Sequence, residues 1–264
     1  MKTTIAQLKK EKNAVILAHY YTVPEVQDVA DFLGDSLALA QKAATTNADI
    51  IVFAGVHFMA ETAKILNPHK KVLIPDMQAG CSLADSCPHE DFKRFIEQHP
   101  DHIVLSYINC SAEVKALSDI IVTSGNALKI VNSLPIDAKI IFAPDRNLGA
   151  YINKTLRREM VLWDGACHVH DQLTTEQLFK LKEKHPEAKV IAHPECQGPI
   201  LALADFVGST AAMLQFVTQD THPAYIVATE TGILYEMEKR NPNKRFYVVN
   251  ALDSCACNDC MYMK

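Results

Sequence analysis

No run or stripe of lysine and arginine appears anywhere in this 264-residue chain. That removes the electrostatic footprint of a nucleic-acid binder. The N-terminus, MKTTIAQLKKEKN, lacks the apolar core that a secretory signal needs. The longest apolar runs, such as Ile50–Ala54, are far too short to cross a bilayer. A soluble cytoplasmic protein is therefore expected, with neither nucleic acid nor membrane as partner. Acids and bases are interspersed at a formal net charge of −5, and 48% of residues are apolar, as in a globular protein with a sizeable core.

What the chain has in excess is cysteine, eight in all. Without a secretory signal, a disulfide framework is disfavoured, and metal, redox or catalytic roles gain weight. A lone cysteine is ordinarily a small buried hydrophobe, and Cys110 and Cys87 are read that way.

Three segments of the chain align with one another. His19, Tyr107 and His193 lie 88 and 86 residues apart, and Tyr21, Asn109 and Glu195 keep the same offsets. So do Asp31, Asp119 and Asp205, and Ser36, Ser124 and Thr210. Each copy reads strand, helix, strand, helix, strand, helix, strand. The strands are short continuous apolar runs suited to parallel sheets buried on both faces. Thr174 and Gln177 offer a capping box for a linking helix, and His99-Pro100 and His185-Pro186 mark helix ends. The fold class predicted is α/β: three αβα units related by a pseudo-threefold axis, each with a four-stranded parallel sheet, around a central active site. The units span 1–86, 87–172 and 173–264.

Ligands of parallel α/β sheets bind beyond the carboxyl ends of the strands, where the repeated polar residues fall. His19, Tyr107 and His193 end the first strand of each copy. Ser36, Ser124 and Thr210 are expected to open helices after the second strands. A hydroxyl beside free backbone N–H groups at a helix N-terminus suits an anion; the plainer alternative is helix capping alone. Three at matched offsets, each with a strand-end His or Tyr, favour a ligand with several negative groups.

Cys81 and Cys167 lie 86 residues apart, and the third copy offers Cys255, Cys257 and Cys260. One thiolate from each unit would hold three irons of a [4Fe–4S] cluster and leave one iron without a cysteine. That iron would be a Lewis acid, which favours dehydration or condensation over electron transfer. A zinc site using His168 or His170 with three cysteines competes.

Together, AHYY (18–21), GDSLALA (34–40), GVHFMAET (55–62), GCSLAD, YIN, SAEVKALSD, TSGNA, PDRNLGAY, WDGACHVH, AHPEC and GST run along nearly the whole chain. With these strings it resembles the quinolinate synthase family, iron–sulfur enzymes of NAD biosynthesis. The resemblance implies condensation of iminoaspartate with dihydroxyacetone phosphate to quinolinate, with release of phosphate and water. It also implies a triangle of three αβα units around the cluster and, as a protein partner, the oxidase that makes iminoaspartate. Cys81 and Cys167 match the family's cluster ligands. Cys260, in CMYMK, fits the frame of the third with Met in place of Pro, whereas repeat spacing alone nominates Cys255. His19, Ser36, Tyr107, Asn109, Ser124, His193, Glu195 and Thr210 match substrate-contacting positions. Tyr21 and Glu195 match the acid–base pair, with His193 beside them as a third catalytic group.

Cys110 and Val122 depart from the family, standing where many relatives have Thr or Ser and Cys. Relatives also continue a few dozen residues past the last cysteine motif, so C-terminal helices that cover the cluster are expected to be missing here. Cys257 and Cys260 form C-x-x-C, a spacing that would allow a reversible disulfide. Other three-unit iron–sulfur enzymes, a reductive dehydroxylase or a diphthamide-type enzyme, share the plan of one cysteine per unit. AHYY, AHPEC and GVHFMAET argue against both. A non-catalytic iron–sulfur sensor would have no closed polar pocket beside its cluster.

Overall fold

The structure, a computed structural model, describes residues 2–249 and 260–263. Twelve strands among them form three separate four-stranded sheets. The first sheet contains β1 (Ala14–His19), β2 (Phe32–Gly34), β3 (Ile50–Ala54) and β4 (Lys71–Leu73). The second contains β5 (Ile103–Tyr107), β6 (Ile120–Val122), β7 (Ile140–Ala143) and β8 (Val161–Leu162). The third contains β9 (Lys189–Ala192), β10 (Phe206–Val207), β11 (Ala224–Ala228) and β12 (Arg245–Val248). All pairs are parallel, and every sheet has its second strand outside the first: β2-β1-β3-β4, β6-β5-β7-β8 and β10-β9-β11-β12. The α/β reading with three parallel sheets is thereby met.

Register repeats as faithfully as strand order. Leu17 pairs with Phe32, Leu105 with Ile120 and Ile191 with Phe206. In each sheet the chain leaves the first strand toward one side and returns on the other. That reversal opens a crevice at the carboxyl end of the first strand, the usual place for a ligand. No described helix is long and apolar enough to cross a membrane.

The repeated aspartates have a structural role. Asp31, Asp119 and Asp205 each accept, through Oδ2, the backbone N–H of Ile16, Val104 or Val190 at 2.7–2.8 Å. Each also donates its own N–H to the carbonyl of that same residue. The pair of bonds starts the second strand in register beside the first, so this column belongs to folding and not to the site. The linking helix Thr175–Lys184 carries the predicted capping box, with Thr174 as N-cap and Gln177 reaching back to its N–H. The helices before the two His-Pro pairs end at Glu97 and Lys184, in keeping with the proline signals. Cys87 and Cys110 are buried in one apolar cluster with Phe92 and Val114.

The sheets interlock through shared apolar packing. Leu17, Phe53 and Met59 of the first unit join Leu105, Phe142 and Ile152 of the second in one core. Tyr20 and Leu33 of the first unit pack with Met213, Tyr225 and Met237 of the third. Burying these faces against each other supplies apolar area that a unit of this size lacks alone.

Removing one aspartate carboxylate strands a backbone N–H of a first strand, at a cost of about 1–2 kcal/mol. Asp119→Ala should lower unfolding free energy by that amount in urea titration. Asp119→Asn, which keeps an acceptor oxygen, should lose no more than about half of it.

Candidate active site

One cavity lies where the carboxyl ends of the three sheets meet. Its wall holds all twelve residues picked from the sequence: Cys81, Cys167, Cys260, His19, Tyr21, Ser36, Tyr107, Asn109, Ser124, His193, Glu195 and Thr210. Apolar side chains, among them Val56, Phe58, Met59, Val169 and Met263, complete it.

The strand-end column works through a local hydrogen bond. The Tyr21 N–H donates to His19 Nδ1 at 3.2 Å, and the Glu195 N–H donates to His193 Nδ1 at 3.3 Å. A neutral imidazole accepting at Nδ1 carries its proton on Nε2, so both rings are donors at their far end. His193 Nε2 donates to Ser124 Oγ at 3.2 Å. Burial pulls both rings down to a pKa of about 4, against the nearby Asp35 and Glu195 charges that oppose it.

The hydroxyl column differs between copies. Ser36 and Thr210 are the first residues of helices Ser36–Thr45 and Thr210–Gln219, and the caps are their predecessors, Asp35 and Ser209. Capping therefore does not occupy the two hydroxyls. Ser124 departs from the expectation: its helix starts only at Ala127. Asn126 Oδ1 accepts the Thr123 N–H at 2.7 Å, and Thr123 O takes the N–H groups of Asn126 and Ala127. That turn, built on Gly125-Asn126, delays the helix and leaves Ser124 on a loop.

Glu195 is the hub. It is 2% exposed. Tyr107 Oη donates to its Oε1 at 2.5 Å, and His170 Nδ1 lies 2.9 Å from its Oε2. Burial pushes the carboxyl up, but His170 and His193 and the bonds from His170 and Tyr107 bring it below the ordinary range. Tyr107 and Tyr21 are pushed well above the usual phenol value, first by burial. Glu195 accepts from His170 Nδ1, and His170 Nε2 lies 2.9 Å from Thr229 Oγ1. Thr229 Oγ1 lies 2.8 Å from Tyr21 Oη, which lies 2.8 Å from Thr210 Oγ1. One continuous line of hydrogen bonds runs Thr210, Tyr21, Thr229, His170, Glu195, with Tyr107 donating from the other side. Among the described residues Asn109 Oδ1 is buried with no hydrogen-bond partner, an acceptor left open in the cavity wall.

Sequence reading missed Thr229 altogether and raised His170 only as a zinc ligand. His170 was findable: it sits one turn beyond Cys167 on the short helix His168–Asp171. Thr229 was not, because β3, β7 and β11 end at positions 89 and 85 residues apart, off the offsets of the other columns. Asn147, in PDRNLGAY, was also passed over; its Nδ2 donates to the Glu195 carbonyl at 3.1 Å.

Two of the cysteines, Cys81 and Cys167, arrive on equivalent loops. Cys81 and Cys167 each precede a four-residue helix, Ser82–Asp85 and His168–Asp171. Ser82 Oγ meets His168 Nδ1 at 2.6 Å and ties the two loops together. That contact engages only Nδ1 of His168, while His170 Nδ1 lies 3.2 Å from Cys167 Sγ. Gly165 is required by close approach: a Cβ there would meet Ser86 Oγ at 2.4 Å and Pro144 O at 2.5 Å. Gly232 is equally confined, against the Tyr21 backbone at 2.7 Å. Cys255 and Cys257, and with them the Cys257–Cys260 disulfide, lie outside the described residues. Burial pushes the Cys81 thiol up to about 12 and raises Cys167 and Cys260 as well. Such sulfurs stay protonated unless a cation draws them into thiolates. The donor set, three cysteines around one cavity with apolar walls, fits an iron–sulfur cluster. Cys167, His170 and Glu195 alone also form a group with ligand atoms within 4.8 Å of one another.

Residues 3–264 match the family model described as quinolinate synthetase A protein. The chain belongs to the quinolinate synthetase A family. It is 60% identical over 262 residues to a quinolinate synthase of Microcystis aeruginosa (strain NIES-843 / IAM M-2473), covering 99% of this chain and 82% of that one. It is 60% identical over 260 residues to that of Synechocystis sp. (strain ATCC 27184 / PCC 6803 / Kazusa), covering 98% and 82%. It is 58% identical over 264 residues to that of Prochlorococcus marinus (strain MIT 9313), covering 100% and 79%. Membership of this family makes the chain an enzyme and sets aside the sensor and the other three-unit enzymes.

The two buried histidines tie stability to pH. Folded, they protonate near 4; unfolded, near the ordinary 6.5. Between those values the unfolded chain binds more protons, so stability falls as pH drops through that window. Urea unfolding of the metal-free protein from pH 7 to 4.5 should show this loss, with a shallower slope in His193→Gln. A pH-independent midpoint would contradict neutral burial of the rings.

Proposed function

We propose that this chain condenses iminoaspartate with dihydroxyacetone phosphate to quinolinate, releasing phosphate and water, as a step of NAD biosynthesis in the cytoplasm. The observation that carries the proposal is that three cysteines and a buried acid–base line from three different sheets share one cavity. In this reading Cys81, Cys167 and Cys260 hold a [4Fe–4S] cluster. When bound, such a cluster supplies a Lewis acid at the iron that lacks a cysteine.

The protein's own residues then do the following. The Nε2–H groups of His19 and His193 and the hydroxyls of Ser36, Ser124 and Thr210 bind carboxylate and phosphate oxygens. Asn109 Oδ1 accepts from a hydroxyl or amine of the substrate, which ends its isolation in the cavity wall. Tyr21 and Glu195 move protons during tautomerisation and dehydration. Thr229 and His170 join those two into one line, so a charge change at one is felt at the other. Tyr107 holds Glu195 from the opposite side and stays protonated to do so. The apolar wall of Val56, Phe58, Met59 and Val169 limits water around groups whose hydrogen bonds strengthen in a dry site.

A mononuclear metal on Cys167, His170 and Glu195 is the competing reading, supported by their proximity. It leaves Cys81 and Cys260 without a task and removes Glu195 from proton transfer. Iron and sulfide analysis separates the two.

Anaerobically reconstituted protein should form quinolinate from iminoaspartate and dihydroxyacetone phosphate; no product from cluster-loaded protein would sink the proposal. Cys81→Ser, Cys167→Ser and Cys260→Ser should each lose the cluster's visible absorbance, whereas Cys87→Ser should keep it. Glu195→Gln should keep the absorbance yet cut kcat by roughly 100-fold or more, the scale of a lost general base.

A further inference from the structure

Two carboxylates at equivalent places in the second and third units treat the cysteine loops alike. Asp145 lies two residues past the end of β7, and Glu230 two residues past the end of β11. Each divides its oxygens in the same manner. Asp145 Oδ1 accepts the Leu148 N–H in the first turn of the following helix at 2.7 Å, and Oδ2 accepts the Cys167 N–H at 3.2 Å. Glu230 Oε2 accepts the Gly232 N–H of its own loop at 2.8 Å, and Oε1 accepts the Cys260 N–H at 3.1 Å. Asp145 is 0% and Glu230 3% exposed, so water does not compete for either bond. In the first unit Val56 holds this place, and the loop keeps the backbone bond from the His57 N–H to Ala79 O, at 2.7 Å, which the second unit matches with Arg146 N–H to Gly165 O at 2.8 Å.

We propose that Asp145 and Glu230 are positioning residues for the cluster site, each holding one cysteine loop by the backbone N–H of the ligating residue. The proposal rests on the three-cysteine reading above and deepens it. A thiolate closes on a metal at less ordering cost when its Cα is already placed, and a supporting hydrogen bond places it before loading. The backbone N–H is the right handle, because it fixes the loop without using the sulfur. Side-chain lengths fit the loops: Asp145 also caps the helix Arg146–Leu156, while the longer Glu230 reaches across to the C-terminal segment. The shared pattern makes Cys260 the third unit's counterpart of Cys167, although the two are not at matched repeat offsets. Among the described residues no such carboxylate accepts the Cys81 N–H; that loop is tied by the His57–Ala79 backbone bond and by Ser82 to His168.

The test uses three variants. Glu230→Gln keeps an acceptor oxygen for the Cys260 N–H and Glu230→Ala removes it. Asp145→Ser keeps a helix cap but is too short to hold Cys167. Anaerobically reconstituted proteins are challenged with a ferrous chelator and cluster absorbance is followed. Glu230→Ala and Asp145→Ser should lose the cluster about 10-fold faster than wild type, and Glu230→Gln within about 3-fold of it. Thermal unfolding of the metal-free Glu230 variants should agree, since a general loss of folding would lower both together. Wild-type release rates in Glu230→Ala and Asp145→Ser would overturn the proposal, as would Glu230→Gln failing like Glu230→Ala. Hydrogen exchange in the metal-free chain tests it without iron. The Cys167 and Cys260 amides should be protected in wild type and exposed in Asp145→Ser and Glu230→Ala respectively; unprotected wild-type amides would overturn it. Wild type that takes up no iron and sulfide, with those amides protected, would sink the cluster reading and leave the positioning intact.

Discussion

A carboxylate buried at the junction of three sheets must be satisfied by hydrogen bonds or surrender its charge, and the rest of the cavity is arranged around that demand. Glu195 meets it with Tyr107 from the second unit and His170 from the loop that follows the second sheet. Glu195 fixes His170 Nδ1 as a donor. The far nitrogen of that ring meets Thr229, and Thr229 meets Tyr21. Residues from all three units thus depend on one charge, and the network is coherent only while the units stay docked.

The pseudo-threefold plan was kept where it serves folding and broken where it serves chemistry. Strand order, register and the Asp31, Asp119 and Asp205 bonds repeat in all three sheets. The column of Tyr21, Asn109 and Glu195 holds three different chemistries at one backbone position: a phenol, an amide and a carboxylate. A symmetric site would offer one group three times. The proposed condensation of two unlike substrates calls for distinct donors, acceptors and proton carriers, and the columns offer three different groups from a common frame.

The same division governs the cysteines. Cys81 and Cys167 precede matching short helices and touch through Ser82 and His168. Cys260 comes from another part of its unit, yet it meets the cavity because Glu230 takes its N–H as Asp145 takes that of Cys167. The proposed equivalence is one of hydrogen bonding, not of sequence offset, whereas repeat spacing counts offsets and so nominates Cys255.

Much of this was legible in the order of residues. Fixed offsets exposed three copies, apolar runs between helical stretches indicated parallel sheets, and strand-end polar residues marked the cavity, because all three are properties of short contiguous segments. Motif strings carried the family. What the order of residues could not decide was contact between segments far apart in the chain. Thr229 meets Tyr21 and His170, 208 and 59 residues away, and Glu230 reaches Cys260, 30 residues on. The late helix start after Ser124 also escaped, since a local side-chain turn outcompeted the pattern of the other two copies. Local periodicity by itself determined the sheets and the place of the site. Only docking of the units decided which buried groups share a proton line, because a hydrogen bond depends on distance in space and direction, and neither is written in sequence separation.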